Sequence, residues 1–181
     1  MRSVFLSLLV LFTCGCGSQL KDSSSLPTKQ SLVNDVRKKT ILQLKVEKEL
    51  YACGVGSRMM DQIKALALSF NYYKEVDIEE ARELLLSAGM VFLDNINSNG
   101  QIRSHLSNYP FRPENIQIRI FIKNRSGSLT ERDKLAVAAM VDGILEYDIS
   151  SSETQCLKTI YRETYEEAVL KANHLVFLTS H

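Results

Sequence analysis

The chain changes its hydrophobic period about halfway along. In the first half, apolar residues recur every three or four positions. Leu42, Val46, Leu50 and Cys53 fall at i, i+4, i+8 and i+11, one face of a helix that Gly54-Val55-Gly56 would end. Ser57 offers a fresh N-cap, and Met59, Ile63, Leu66, Phe70 and Tyr73 carry the helical spacing through a second segment. A third opens at Asp77, with Glu80 three residues on in the arrangement of a capping box. Its inner face is Ile78, Ala81, Leu85, Ala88, Phe92 and Ile96, and Asn97-Ser98-Asn99-Gly100 closes it.

Beyond that point the period drops to two. Ile116, Ile118, Ile120 and Ile122 alternate with Gln117, Arg119, Phe121 and Lys123, which makes a strand with one strongly apolar face. The segment 124–128 (NRSGS) is a turn. Leu135 to Val141 and Ile144 to Ile149 flank Asp142-Gly143, a dipeptide suited to a two-residue hairpin. The same stretch also reads as a helix over 130–146, because LAVAAM is good helix material. Leu157 to Arg162 is a further strand, and Thr164 with Glu167 caps a last helix whose inward residues are Tyr165, Ala168, Val169 and Ala172. Helices first, then an antiparallel meander of about four strands and a closing helix predict an α+β fold, the amphipathic helices covering the sheet's one apolar face. That fold belongs to a single domain over 32–181.

The N-terminus follows other rules. Arg2 precedes a nine-residue apolar run, Val4 to Phe12, and Thr13, Cys14 and Gly15 follow it. Nine residues rise only ~14 Å as a helix, too short for a bilayer core of about 30 Å, so 1–15 reads as an export signal. The sequence Thr13-Cys14-Gly15-Cys16 resembles the lipobox of bacterial lipoproteins. The resemblance covers residues 1–18. It implies cleavage after Gly15 and a lipid on Cys16, which would hold the protein to a membrane without a spanning helix. Cys14 is the rival site, with Leu11 in the position that family favours. Gly17 stands where an aspartate would imply retention at the inner membrane, so the resemblance implies a place in the bacterial envelope nearer the outer membrane. Residues 16–31, rich in serine and carrying Pro27, read as a tether.

Composition narrows the function by exclusion. The 181 residues carry 22 basic and 21 acidic side chains, and without Arg2 the two signs balance. Nucleic-acid binders draw most of their affinity from a basic surplus, so nucleic acid is not an expected partner. No phosphate loop, G-x-S-x-G or H-E-x-x-H occurs, and nothing calls for a metal or cofactor. Cys53 and Cys156 remain as thiols that an oxidising compartment could pair, or as two separate buried thiols. The densest internal chemistry is Ile102 to Phe111, where Arg103, His105 and Tyr109 form a candidate binding surface or, alternatively, a plain connector. Arg37, Lys38 and Lys39 read as a solvated patch that, close to the tether, could meet anionic lipid; Glu79, Glu80 and Glu83 read as a solvated helix start.

These features point to a lipid-anchored envelope protein with a non-enzymatic binding or structural domain and an envelope protein as its partner. The alternatives are a small periplasmic hydrolase using the His105 loop, or a surface protein that meets a host. In cells grown with labelled palmitate the protein takes up label and Cys16→Ser abolishes it; label retained in that variant moves the site to Cys14.

Overall fold

The computed structural model describes residues 27–130, 133–150 and 156–179, with side chains in the last helix up to Asn173. The expected signal and Cys16 lie outside the described residues. The order of elements is α1 (Lys29–Lys48), β1 (Tyr51–Met59), β2 (Ile63–Tyr72), α2 (Ile78–Asn97), β3 (Ile116–Ile122), β4 (Leu135–Val141), β5 (Ile144–Ser150), β6 (Leu157–Thr164) and α3 (Tyr165–Thr179). The fold is α+β. Its six strands form one mixed sheet in the order β1-β2-β3-β4-β5-β6.

The expected meander is one part of this sheet. β3 to β6 pair antiparallel in sequence, while β2 and β3 run parallel and are joined through α2. β1 and β2 add an antiparallel hairpin where a helix was expected. The spacing of Leu66 and Phe70 misled, because four residues are one helical turn and also two strand steps. Leu68 decides between them. It is buried between the other two, and Leu66, Leu68 and Phe70 share one face of the strand. Gly54 and Gly56 lie inside β1, not at a helix stop; across from them stand Ser69 and Ala67.

α1 also differs from expectation. It begins at Lys29, with Thr28 as N-cap accepting a hydrogen bond from Ser31 N at 3.1 Å, ahead of the domain start expected at Leu32. Its buried stripe is Leu32, Val33, Val36, Arg37, Thr40 and Leu44. Leu42 and Val46, read as the inner face, lie on the outside, 55% and 83% exposed. Arg37 is no part of a solvated patch: it is buried and donates to the Gly56 carbonyl. Glu49 ends the helix in the left-handed conformation at φ 55°.

Other elements match their sequence signals. Asp77 and Glu80 close a capping box at 2.8 and 3.1 Å, and Ala81, Leu85, Ala88, Phe92 and Ile96 are buried on α2. The hairpin, not the rival helix, occupies 135–150, and both turn residues take the positive φ its type requires: 49° at Asp142 and 77° at Gly143. Thr164 and Glu167 form the expected cap of α3. The core lies between the helices and one sheet face, in rows that cross strands: Leu68, Ile118, Met140 and Leu145, then Phe70, Ile120, Ala138 and Tyr147. On the opposite face one small and polar row reads Gly54, Ser69, Arg119, Ala139, Glu146 and Arg162, and the rows beside it hold Phe121 with Val137 and Val141 with Ile144.

α2 comes closest to the sheet at Gly89, where an added Cβ would stand 2.7 Å from Met140 Cε and 3.7 Å from Ile116 Cδ1. Met140 is flexible, so Gly89→Ala is expected to alter stability by less than about 1 kcal/mol, with helix propensity offsetting the crowding. Gly89→Ile should cost about 1–3 kcal/mol by overpacking, measured by urea unfolding.

Candidate functional site

The expected binding loop is built as the closure of α2. Asn97, in the helix's last position, clamps the loop from both sides: Nδ2 donates to the Phe111 carbonyl at 3.0 Å, and Oδ1 accepts from Phe111 N at 2.8 Å. Ile102, Leu106 and Phe111 are buried, and Ser107 N donates to the Ile63 carbonyl at 2.9 Å, tying the loop to the start of β2. Between these anchors Arg103 and Tyr109 come together at the surface. The guanidinium lies 4.0 Å from the ring centroid, and the Tyr109 hydroxyl donates to the Asn97 carbonyl at 3.2 Å.

His105 does not complete that pair. It sits in a single 3-10 turn, half-buried. Among the described residues its ring makes no hydrogen bond or ion pair with a serine or a carboxylate. The stack of Arg103 on Tyr109 engages the aromatic face that a ligand cation would need. This arrangement rigidifies a surface loop and holds no nucleophile or acid–base pair.

A different cluster gathers buried ionisable groups from α2, β5 and β6. The β5–β6 register sets Glu163 opposite Leu145, so its carboxylate is carried onto the covered face of the sheet. There the side chain is only 1% exposed. Arg82 of α2 donates through Nε to Oε1 at 2.6 Å, and the Tyr147 hydroxyl of β5 donates to the same oxygen at 2.7 Å. Lys171 of α3 donates to Oε2 at 2.8 Å and also contacts the Tyr161 hydroxyl. One carboxylate thus links two helices and two strands.

The electrostatics follow from that enclosure. Burial alone would raise the Glu163 proton affinity, but the hydrogen bonds from Arg82, Lys171 and Tyr147 together hold it below the usual carboxylate range. Burial would likewise lower Arg82, and Glu163 more than offsets it, so the guanidinium is held above its ordinary value. Tyr147 is pushed well up, by burial first and then by Glu163. Sequence reading missed this cluster. Its one available signal was Glu163 itself, two residues beyond Tyr161 and so on the same strand face, where a charge needs a partner.

The two thiols do not meet. Cys53 is in β1 and Cys156 lies just before β6, at opposite edges of the sheet, and both are free and exposed. Five strand spacings put the edges ~24 Å apart, far beyond the Cα separation of up to about 7 Å that a disulfide needs. An intrachain Cys53–Cys156 disulfide is therefore excluded, and the reading of both as buried thiols fails with it. A separate open cleft of about 560 Å³ lies where α2 begins, lined by Asp77, Ile78, Thr130, Leu135, Ile149 and Ile160 among others. Glu80 on its rim is engaged in the capping box. Comparison with protein-family models, with curated proteins and with solved structures returns no match to this chain.

The cluster sets a pH dependence. Because the folded state holds Glu163 below its ordinary value of 4.5, its contribution is present above that value and is lost as pH falls through the depressed one. Glu163→Gln removes the nearer counter-charge of buried Arg82, leaving only the exposed Glu79 at 3.9 Å, and should cost about 3 kcal/mol at pH 7. Urea unfolding should show the gap to the parent shrinking at pH 3; an equal gap at both pH values would contradict the ionised pair.

Proposed function

We propose that this chain is a lipid-anchored protein of the bacterial envelope, held through Cys16 and placed nearer the outer than the inner membrane, whose α+β domain serves as a binding or structural module. The observation that carries the non-enzymatic part is the commitment of the buried charges to one another. Glu163 accepts from Arg82, Tyr147 and Lys171 and stays ionised, so it is a poor general acid, and a carboxylate with its proton affinity lowered is a weak base. The cluster stabilises the junction of α2, α3 and the sheet. The hydrolase alternative gains nothing from the His105 loop, where Arg103 and Tyr109 are engaged with each other and, among the described residues, no serine or carboxylate pairs with the imidazole.

The anchoring part rests on the lipobox resemblance and on the place where the helix begins. α1 starts at Lys29, thirteen positions after Cys16. Extended, that segment reaches at most about 45 Å, which keeps the domain within one diameter or so of a bilayer. Among the described residues no helix is long and apolar enough to cross a membrane. Mass spectrometry of the mature protein tests the proposal. The N-terminal peptide should begin at Cys16 and carry a diacylglyceryl mass; an unmodified N-terminus at another residue overturns the anchor.

A further inference from the structure

The outer side of α1 mixes lysines with exposed aliphatic side chains. At 100° per residue, Lys38, Leu42, Lys45 and Val46 project away from the buried stripe of α1, with Lys39 at their flank. β1 runs beside the helix, since Arg37 reaches the Gly56 carbonyl and the Lys45 ammonium lies 5.9 Å from the Tyr51 ring centroid. Tyr51, itself packed edge-on against Tyr73, therefore lies beside the C-terminal turns of α1. At the far end Lys29 binds the carbonyls of Met60 and Asp61, which fixes the tip of the β1–β2 hairpin to the first turn of α1. Met60 is 87% exposed there. Leu42 and Val46, 55% and 83% exposed, thus share the outer side of α1.

That side is also basic. The outer side of α1 carries Lys38, Lys39 and Lys45 against Asp35, which falls between Leu42 and Val46, in a helix with six basic residues (Lys29, Arg37, Lys38, Lys39, Lys45, Lys48) and two acidic ones (Asp35, Glu47). Of the six only Arg37 is buried. α2 beside it is acidic on its outer side, with Glu79, Glu83 and Asp94, so the molecule is electrically polarised. Lysines interleaved with exposed aliphatic side chains match the two components of an anionic lipid surface, phosphate and hydrocarbon. The connection to Cys16 leaves the described domain at this same end, because Lys29 next to the N-cap is the residue that holds the Met60 tip.

We infer that the outer side of α1 is a membrane-docking surface, with Lys38, Lys39 and Lys45 meeting anionic phospholipid headgroups while Leu42 and Val46 enter the interface. This rests on the proposed anchor for its orientation, since a short connection from a lipidated residue would bring this end to the bilayer first. The lipid would confine the domain and the basic strip would set its pose, leaving the sheet's uncovered face and the β6 edge turned outward.

The test uses the mature full-length protein reconstituted into vesicles of phosphatidylcholine alone or with one-third phosphatidylglycerol. Lysine acylation by a soluble active ester is followed residue by residue by mass spectrometry. Lys38, Lys39 and Lys45 should react at least fivefold more slowly on the anionic vesicles, the difference should vanish at 0.5 M salt, and Lys158 on the opposite edge should not change. Reversing the three lysines to glutamate should remove the protection and weaken vesicle binding of unlipidated protein at least tenfold, each lysine at the surface being worth roughly fivefold. Equal reactivity on both vesicles overturns the inference. Protection that persists in detergent overturns it too and assigns the strip to a second copy or another protein. The same digest scores the lipid on Cys16: lipid without protection leaves the anchor standing and removes the docking surface, whereas protection without lipid does the reverse.

Discussion

Four isoleucines on one face of β3 must be taken out of water, and the fold is arranged to do that. Each fully buried aliphatic side chain contributes about 1.5–3 kcal/mol relative to exposure, and a central strand has no other place to put them. Their burial needs a helix laid across the strand, which α2 supplies, coming close enough at Gly89 that Met140 fills the remaining space. It also needs apolar neighbours in register on both sides. β2 provides Leu66, Leu68 and Phe70, and β4 provides Ala138 and Met140. The small alanine opposite Ile120 is what lets Tyr147 of the next strand reach inward.

The same register creates an expensive feature. Once Leu145 and Tyr147 are fixed inward, Glu163 and Tyr161 follow on β6, and a carboxylate arrives in the dry layer. Removing a charge from water costs several kcal/mol unless it is paired and hydrogen-bonded. Three donors from three separate elements supply that compensation, each close to ideal distance. The cluster therefore acts less as a source of stability than as a constraint on arrangement: α2, α3 and the β5–β6 hairpin must all be in place together, or a charge is left exposed to an apolar environment.

Much of this was legible from local signals. The isoleucine alternation, the Asp142-Gly143 turn and the two capping boxes each rest on side chains within a few residues of one another, and each appears where the sequence places it. The N-terminal third was misread because its signals were ambiguous in period. Leu66 and Phe70 satisfy a helix and a strand alike, and Leu42 with Val46 sit on a real helix but on its wet side. The true inner stripe of α1 includes Thr40 and Arg37, which a hydrophobic pattern omits. Thr40 is satisfied by Val36 within the helix and by Asn95 across it. Partners distant in sequence, such as Arg82 and Glu163, have no local signature at all; only the register of strands not yet paired could have brought them together. The loop residues Arg103 and Tyr109 do converge, while His105 stays apart.

The parallel pairing of β2 with β3 has a consequence in time. Every other neighbour in the sheet is also a neighbour along the chain, joined by a turn or short loop, so those pairings close cheaply and early. β2 and β3 can meet only after the whole of α2 and the clamped loop behind it, residues 73–115, have been made and folded back. A chain emerging from its N-terminus therefore presents the β1–β2 hairpin long before the strand that completes it, with Leu66, Leu68 and Phe70 uncovered and both edges open. Such an interval is when a hairpin pairs with the wrong chain. Nascent protein of this topology depends on a companion, or on speed, to cross that interval intact.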